Sequence, residues 1–94
     1  MEEKLVFIRE YLAKKFAGCD IEHREDFIRS SQSFKIYASG GPLLLKVSDE
    51  FIDDNPIEEI DRLFDLFGIP GVLAENTELG VMLTQQGIGF FNRD

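Results

Sequence analysis

Apolar positions near the start of the chain recur at helical intervals. Leu5, Ile8, Leu12 and Phe16 share one face, which predicts a helix over residues 2–17. Glu2 and Glu3 suit its positive start, Lys14 and Lys15 its end, and Gly18 is the expected stop. Phe7 and Tyr11 lie four residues apart on nearly the opposite side. Residues 20–29 are charged and close on Phe27-Ile28, which predicts a strand, and Ser30-Ser31-Gln32 reads as a turn. The period then changes to two. Phe34, Ile36 and Ala38 alternate with Lys35, Tyr37 and Ser39, and after Gly40-Gly41-Pro42 the residues Leu43, Leu45 and Val47 alternate with Leu44, Lys46 and Ser48. Two alternating runs around a glycine-rich turn predict a hairpin.

The helical period returns after residue 55. Asn55 is the expected cap, Pro56 the first helical residue, and Glu58 stands in capping-box register. Ile57, Ile60, Phe64 and Phe67 form the stripe, with Leu63 beside it. Gly68 ends this helix and Pro70 is expected to prevent its return, while residues 49–54 are expected to add a short helical turn. Val72-Leu73-Ala74, Val81 to Thr84 and Ile88 to Phe91 then read as two or three short strands. The order is α-β-β-β-α-β-β. Strands joined by tight turns run antiparallel, so the expectation is one α+β domain over residues 1–94, with helices packed on an antiparallel sheet of about five strands.

Composition sets the limits. Ninety-four residues make a single domain that buries roughly 60–65% of its unfolded surface. No apolar run nears the ~18 residues of a membrane span, and Met1-Glu2-Glu3-Lys4 lacks the basic start of a signal peptide. With one cysteine, Cys19, no internal disulfide forms, and a cytoplasmic setting is expected. The net charge is −8. Eight acids, Asp49, Glu50, Asp53, Asp54, Glu58, Glu59, Asp61 and Asp65, fall in one 17-residue window against the single base Arg62. Such a balance argues against nucleic acid and anionic membranes, and for a protein partner with a basic or apolar surface.

The residue types that carry chemistry do not assemble by spacing. His23 and Cys19, with Asp20 and Glu22, fall short of a zinc set. An EF-hand register started at Asp49 puts Phe51 at position 3 and Asp54 at the glycine position, and one started at Asp53 puts Ile57 at position 5. Ser30, Ser31 and Ser33 lie near His23 without a nucleophile elbow. His23-Arg24-Glu25-Asp26 has the wrong spacing for a kinase catalytic loop and precedes the strands it should follow. No metal and no cofactor is expected.

The stretches Ser33-Phe34-Lys35-Ile36-Tyr37, Leu43-Leu44-Leu45-Lys46-Val47, Gly68-Ile69-Pro70-Gly71-Val72-Leu73-Ala74-Glu75 and Glu78-Leu79-Gly80-Val81-Met82-Leu83 together form a further pattern. With the 56–67 helix between them, they resemble the amino-terminal lobe of aminoglycoside-phosphotransferase-like small-molecule kinases. That resemblance implies a leading helix, then a five-stranded antiparallel sheet broken by one helix. It also implies a nucleotide site, with Lys46 as the phosphate-binding lysine, Glu59 as its carboxylate partner, and Ser30, Ser31 and Ser33 on the phosphate-covering loop. This chain departs from the family in that loop, which has no glycine, and in carrying no catalytic lobe.

Two expectations follow. The first is a non-catalytic interaction or regulatory module, docking through Phe7 and Tyr11 and steering a basic partner with the outward face of Glu58, Asp61 and Asp65. The alternative is a nucleotide-binding, kinase-related protein using Lys46 and Glu59. A homodimer through the last strands, Val81 to Phe91, is a third possibility.

Overall fold

The computed structural model describes residues 1–93. The chain runs α1 (Glu2–Lys15), β1 (Asp20–Asp26), β2 (Ser31–Ala38), β3 (Gly41–Ser48), α2 (Asp49–Asp54), α3 (Ile57–Phe67), α4 (Ile69–Glu75), β4 (Leu79–Thr84) and β5 (Gly87–Asn92). The strands lie in the order β1-β2-β3-β4-β5. The fold is α+β, as the periodicity predicts, but the sheet is mixed. β1, β2 and β3 are antiparallel neighbours, as are β4 and β5, whereas β3 and β4 pair in parallel. The cause lies in residues 69–75. Val72-Leu73-Ala74 belongs to α4 and not to a strand. No hairpin therefore precedes β4. The chain leaves β3, crosses through three helices and comes back in the same direction, as a parallel pair requires.

Two more corrections concern helix ends. Asn55 closes α2, donating its side-chain amide to the Phe51 carbonyl at 2.8 Å, and Pro56 takes the cap position of α3 without a side-chain bond. Pro70 permits the chain to resume helix. It lies in the first turn of α4, where a missing N–H is no loss, and Gly68, left-handed at φ 61°, closes α3 and opens α4. Phe27 and Ile28 are not strand residues. They form an exposed turn between β1 and β2, while Ser31 and Gln32, expected in a turn, begin β2.

One core lies between the helices and one face of the sheet. α1 contributes Ile8, Tyr11 and Leu12, α2 Phe51 and Ile52, α3 Ile60 and Phe64, and α4 Ile69 and Leu73. The sheet contributes Ile21, Phe34, Ile36, Leu43, Leu45, Val47, Val81 and Leu83, the inward positions of its alternation. Ser48 caps α2 by accepting the Phe51 N–H at 3.1 Å, so β3 passes directly into helix. The Lys4 ammonium covers the other end of α2 through the Ile52 carbonyl at 2.8 Å. Among the described residues, no helix is long and apolar enough to cross a membrane.

Candidate functional site

Alternation turns a second set of side chains to the sheet's other face, which no helix among the described residues covers. Register places Glu22, Arg24 and Asp26 of β1 beside Lys35, Ser33 and Ser31 of β2. Lys35, Ser33 and Ser31 in turn face Leu44, Lys46 and Ser48 of β3. Met82 continues the row on β4, followed by Gly89 on β5.

Lys46 is the best-anchored charge on this face. Its ammonium lies 2.5 Å from the Asp26 carboxylate and 5.2 Å from the centre of the Phe91 ring, and the residue is 8% exposed. Asp26 also accepts the Arg29 backbone N–H at 3.2 Å, which pins the β1–β2 turn. The Lys46 hydrogen bond, with help from that N–H, holds the Asp26 carboxyl below its ordinary range. The Arg29 guanidinium stands 5.7 Å from the same Phe91 ring, so the ring has two cations near it. The outer edge of the ring lies over Gly80, directly across the β4–β5 ladder, where a side chain on Gly80 would occupy its place.

Of the residues of the nucleotide expectation, Ser33 lies directly across the β2–β3 ladder from Lys46 and Ser31 follows on the same face, whereas Glu59 stands on α3. Lys46 is committed to Asp26, and Glu59 to Arg62, with two bonds of 2.7 Å that lower the Glu59 carboxyl and raise the guanidinium. Ser30 sits at the turn with φ 47° and Ser33 is half-buried on β2. Ser31 is fully buried, and its hydroxyl has no hydrogen-bond partner among the described residues.

The expected docking patch is partly internal. Tyr11 is 7% exposed, meets Phe64 edge-on at 5.2 Å and donates its hydroxyl to Asp65 at 2.7 Å. Burial, reinforced by Asp65 and Asp61, drives its phenol far above the ordinary value. Phe7 is half-buried against the core, 6.4 Å from the Tyr11 ring. Glu58, Asp61 and Asp65 do point outward, although Asp65 is engaged by Tyr11. His23 is held on the helix side of β1. It stacks on Phe34 at 4.8 Å and meets Gln32 Oε1 at 2.6 Å, while Gln32 Nε2 donates to Asp49 at 3.0 Å. Because the Gln32 amide nitrogen serves Asp49, its oxygen must accept, and His23 Nε2 carries the proton.

Sequence reasoning missed what the open face presents. Arg24, Arg29, Lys35, Lys46 and Arg93 are set there or at its rim against Asp20, Glu22 and Asp26. The rest of the described chain carries fourteen acids and five bases. The molecule is thus polarised, with a mildly positive sheet face on a strongly negative body. A shallow cleft of about 510 Å³ opens on that face, lined by Glu22, Arg24, Ser33, Lys35, Tyr37, Leu44 and Arg93. Lys35 stands 5.4 Å from the Tyr37 ring, and Arg93 anchors the cleft wall by donating to the Thr77 and Pro42 carbonyls at 2.7 and 2.6 Å. Phe27 and Ile28 stand free at the β1–β2 tip, 81% and 96% exposed.

Comparison with family models, with curated proteins and with solved structures returned no match.

Proposed function

We propose that this chain is a non-catalytic interaction module that receives an acidic, partly apolar protein segment on the open face of its sheet. The observation that carries this reading is the polarity of the molecule: five of its ten bases, against three acids, lie on or at the rim of that one face beside exposed apolar surface. Tyr37 and the edges of Leu44 and Met82 supply contact area. Arg24 and Lys35 supply charge, and Phe27 with Ile28 extends the surface past the sheet. Apolar surface of this kind on a small domain marks a contact region more often than an accident. The cations steer an acidic segment toward the one face where the body does not repel it. The Lys46–Asp26 pair acts as scaffold here, holding the turn that presents Phe27 and Ile28.

A pull-down from the native cytoplasm tests the reading with two charge-reversal variants. Arg24→Glu with Lys35→Glu abolishes capture, while Glu58→Lys with Asp61→Lys leaves it intact. The opposite pattern would move the interface to the outer face of α3 and to a basic partner. Because Lys46 and Glu59 each have other partners, ATP with magnesium leaves the melting temperature unchanged.

A further inference from the structure

The outer strands β1 and β5 each leave alternate main-chain N–H and C=O groups without a strand partner, and the chain treats the two edges differently. β1, Asp-Ile-Glu-His-Arg-Glu-Asp, carries five charges in seven residues. Strand addition there sets charges against the newcomer, which is how natural edges are kept from pairing. β5, Gly-Ile-Gly-Phe-Phe-Asn, carries none. Phe90, on its helix side, is 51% exposed with Ile88 half-buried beside it. Gly89 is the second clue. Its φ is not in the left-handed region, and a side chain added there would meet nothing within 4 Å. Neither the backbone nor the packing of this chain requires glycine, which weakens a strand and often marks close approach by another backbone.

We propose that β5 is the seam of a homodimer, in which a second copy adds its own β5 antiparallel and continues the sheet. A two-fold axis through Gly89 sets Ile88 opposite Phe90 of the second copy, and Gly87 opposite its Phe91. Each aromatic then faces an aliphatic residue or a glycine, and the two copies approach most closely where both have no side chain. The occupant is a second copy because the edge is self-complementary about that axis and free of charge, on a chain whose −8 elsewhere keeps copies apart. This seam lies along the edge of the sheet. It does not use the cleft residues Arg24 and Lys35.

Sedimentation velocity on the purified chain tests it. The wild type sediments as a dimer. Phe90→Lys places two like charges beside the axis and weakens association by at least about tenfold. Gly89→Val keeps the fold by circular dichroism and melting temperature and weakens association as well, while Leu66→Lys, a control on an exposed position of α3, changes nothing. A wild type that stays monomeric at high concentration overturns the proposal. So does either seam variant that folds and dimerises as tightly as wild type. A Gly89→Val chain that fails to fold overturns it too, since the fold itself would then need the glycine.

Discussion

Lys46 shows how far alternation alone reaches at the level of one residue. Its neighbours Leu45 and Val47 are apolar, so the strand period turns it away from the core. What it meets there depends on the registers of two hairpins, and no local pattern encodes that Asp26, twenty residues earlier, will arrive beside it. The same holds for Phe91 and Gly80, which look unrelated until β4 and β5 pair. The Asp26–Lys46 contact has a pH signature with a definite sign. A carboxyl held below its ordinary value of 3.8 stabilises the fold fully above that value. The contribution is lost as pH falls through the lower folded value. Asp26→Asn leaves Lys46 without its counter-ion at neutral pH and lowers the urea midpoint there. The gap between variant and wild type should narrow steadily as pH falls below about 3.8. Glu59 titrates alike in both proteins and cancels from the difference. A gap that stays constant from pH 7 to pH 2.5 would refute the assignment.

The elements divide into those with strong periods and those decided by punctuation. α1, α3, β2 and β3 follow their apolar stripes because each buries one face, and the stripe records that burial. Residues 69–75 carry no such record. Val72 and Leu73 suit a strand by propensity, and Pro70 is a stop signal inside a helix but a favoured residue in a first turn. The left-handed Gly68 decides between them by redirecting the chain into a new helix, and from that one element follows the parallel pairing of β3 with β4. The β4–β5 ladder depends on another glycine. Gly80 lies under the Phe91 ring, so Gly80→Ala forces the ring off the sheet and away from Lys46 and Arg29. The expected cost is about 1–3 kcal/mol. For a domain of this size each kcal/mol lowers the melting temperature by about 4–8 °C. In a Phe91→Ala background the same substitution should cost much less, because the two positions share one contact. Equal costs in both backgrounds would show that the ring does not depend on the glycine.

Charge is distributed at the scale of the whole molecule, and there the acidic window takes on its meaning. Its apolar residues build α2 and α3 into the core, and its acids make the body of the protein negative while the sheet face stays mildly positive. Two opposite responses to salt follow. The proposed docking of an acidic segment should weaken as salt rises, because the Debye length falls from ~30 Å at 0.01 M to ~8 Å at 0.15 M. The free protein is stabilised over the same range, because repulsion among its acids is screened. Asp53 offers a sharp test of the second response. It is exposed in the last turn of α2, an end that disfavours negative charge and where the Lys4 ammonium is bonded to the main-chain carbonyls of Ile52 and Asp53. Asp53→Asn removes that charge and keeps the shape. At low ionic strength it should raise stability by about 0.3–1 kcal/mol, and in 1 M salt the gain should vanish. Chemical denaturation by urea, which adds no ions, measures both conditions directly. A gain that survives in 1 M salt would mean that Asn stabilises the helix end by hydrogen bonding, and the repulsive reading of the acidic body would lose its support at this position.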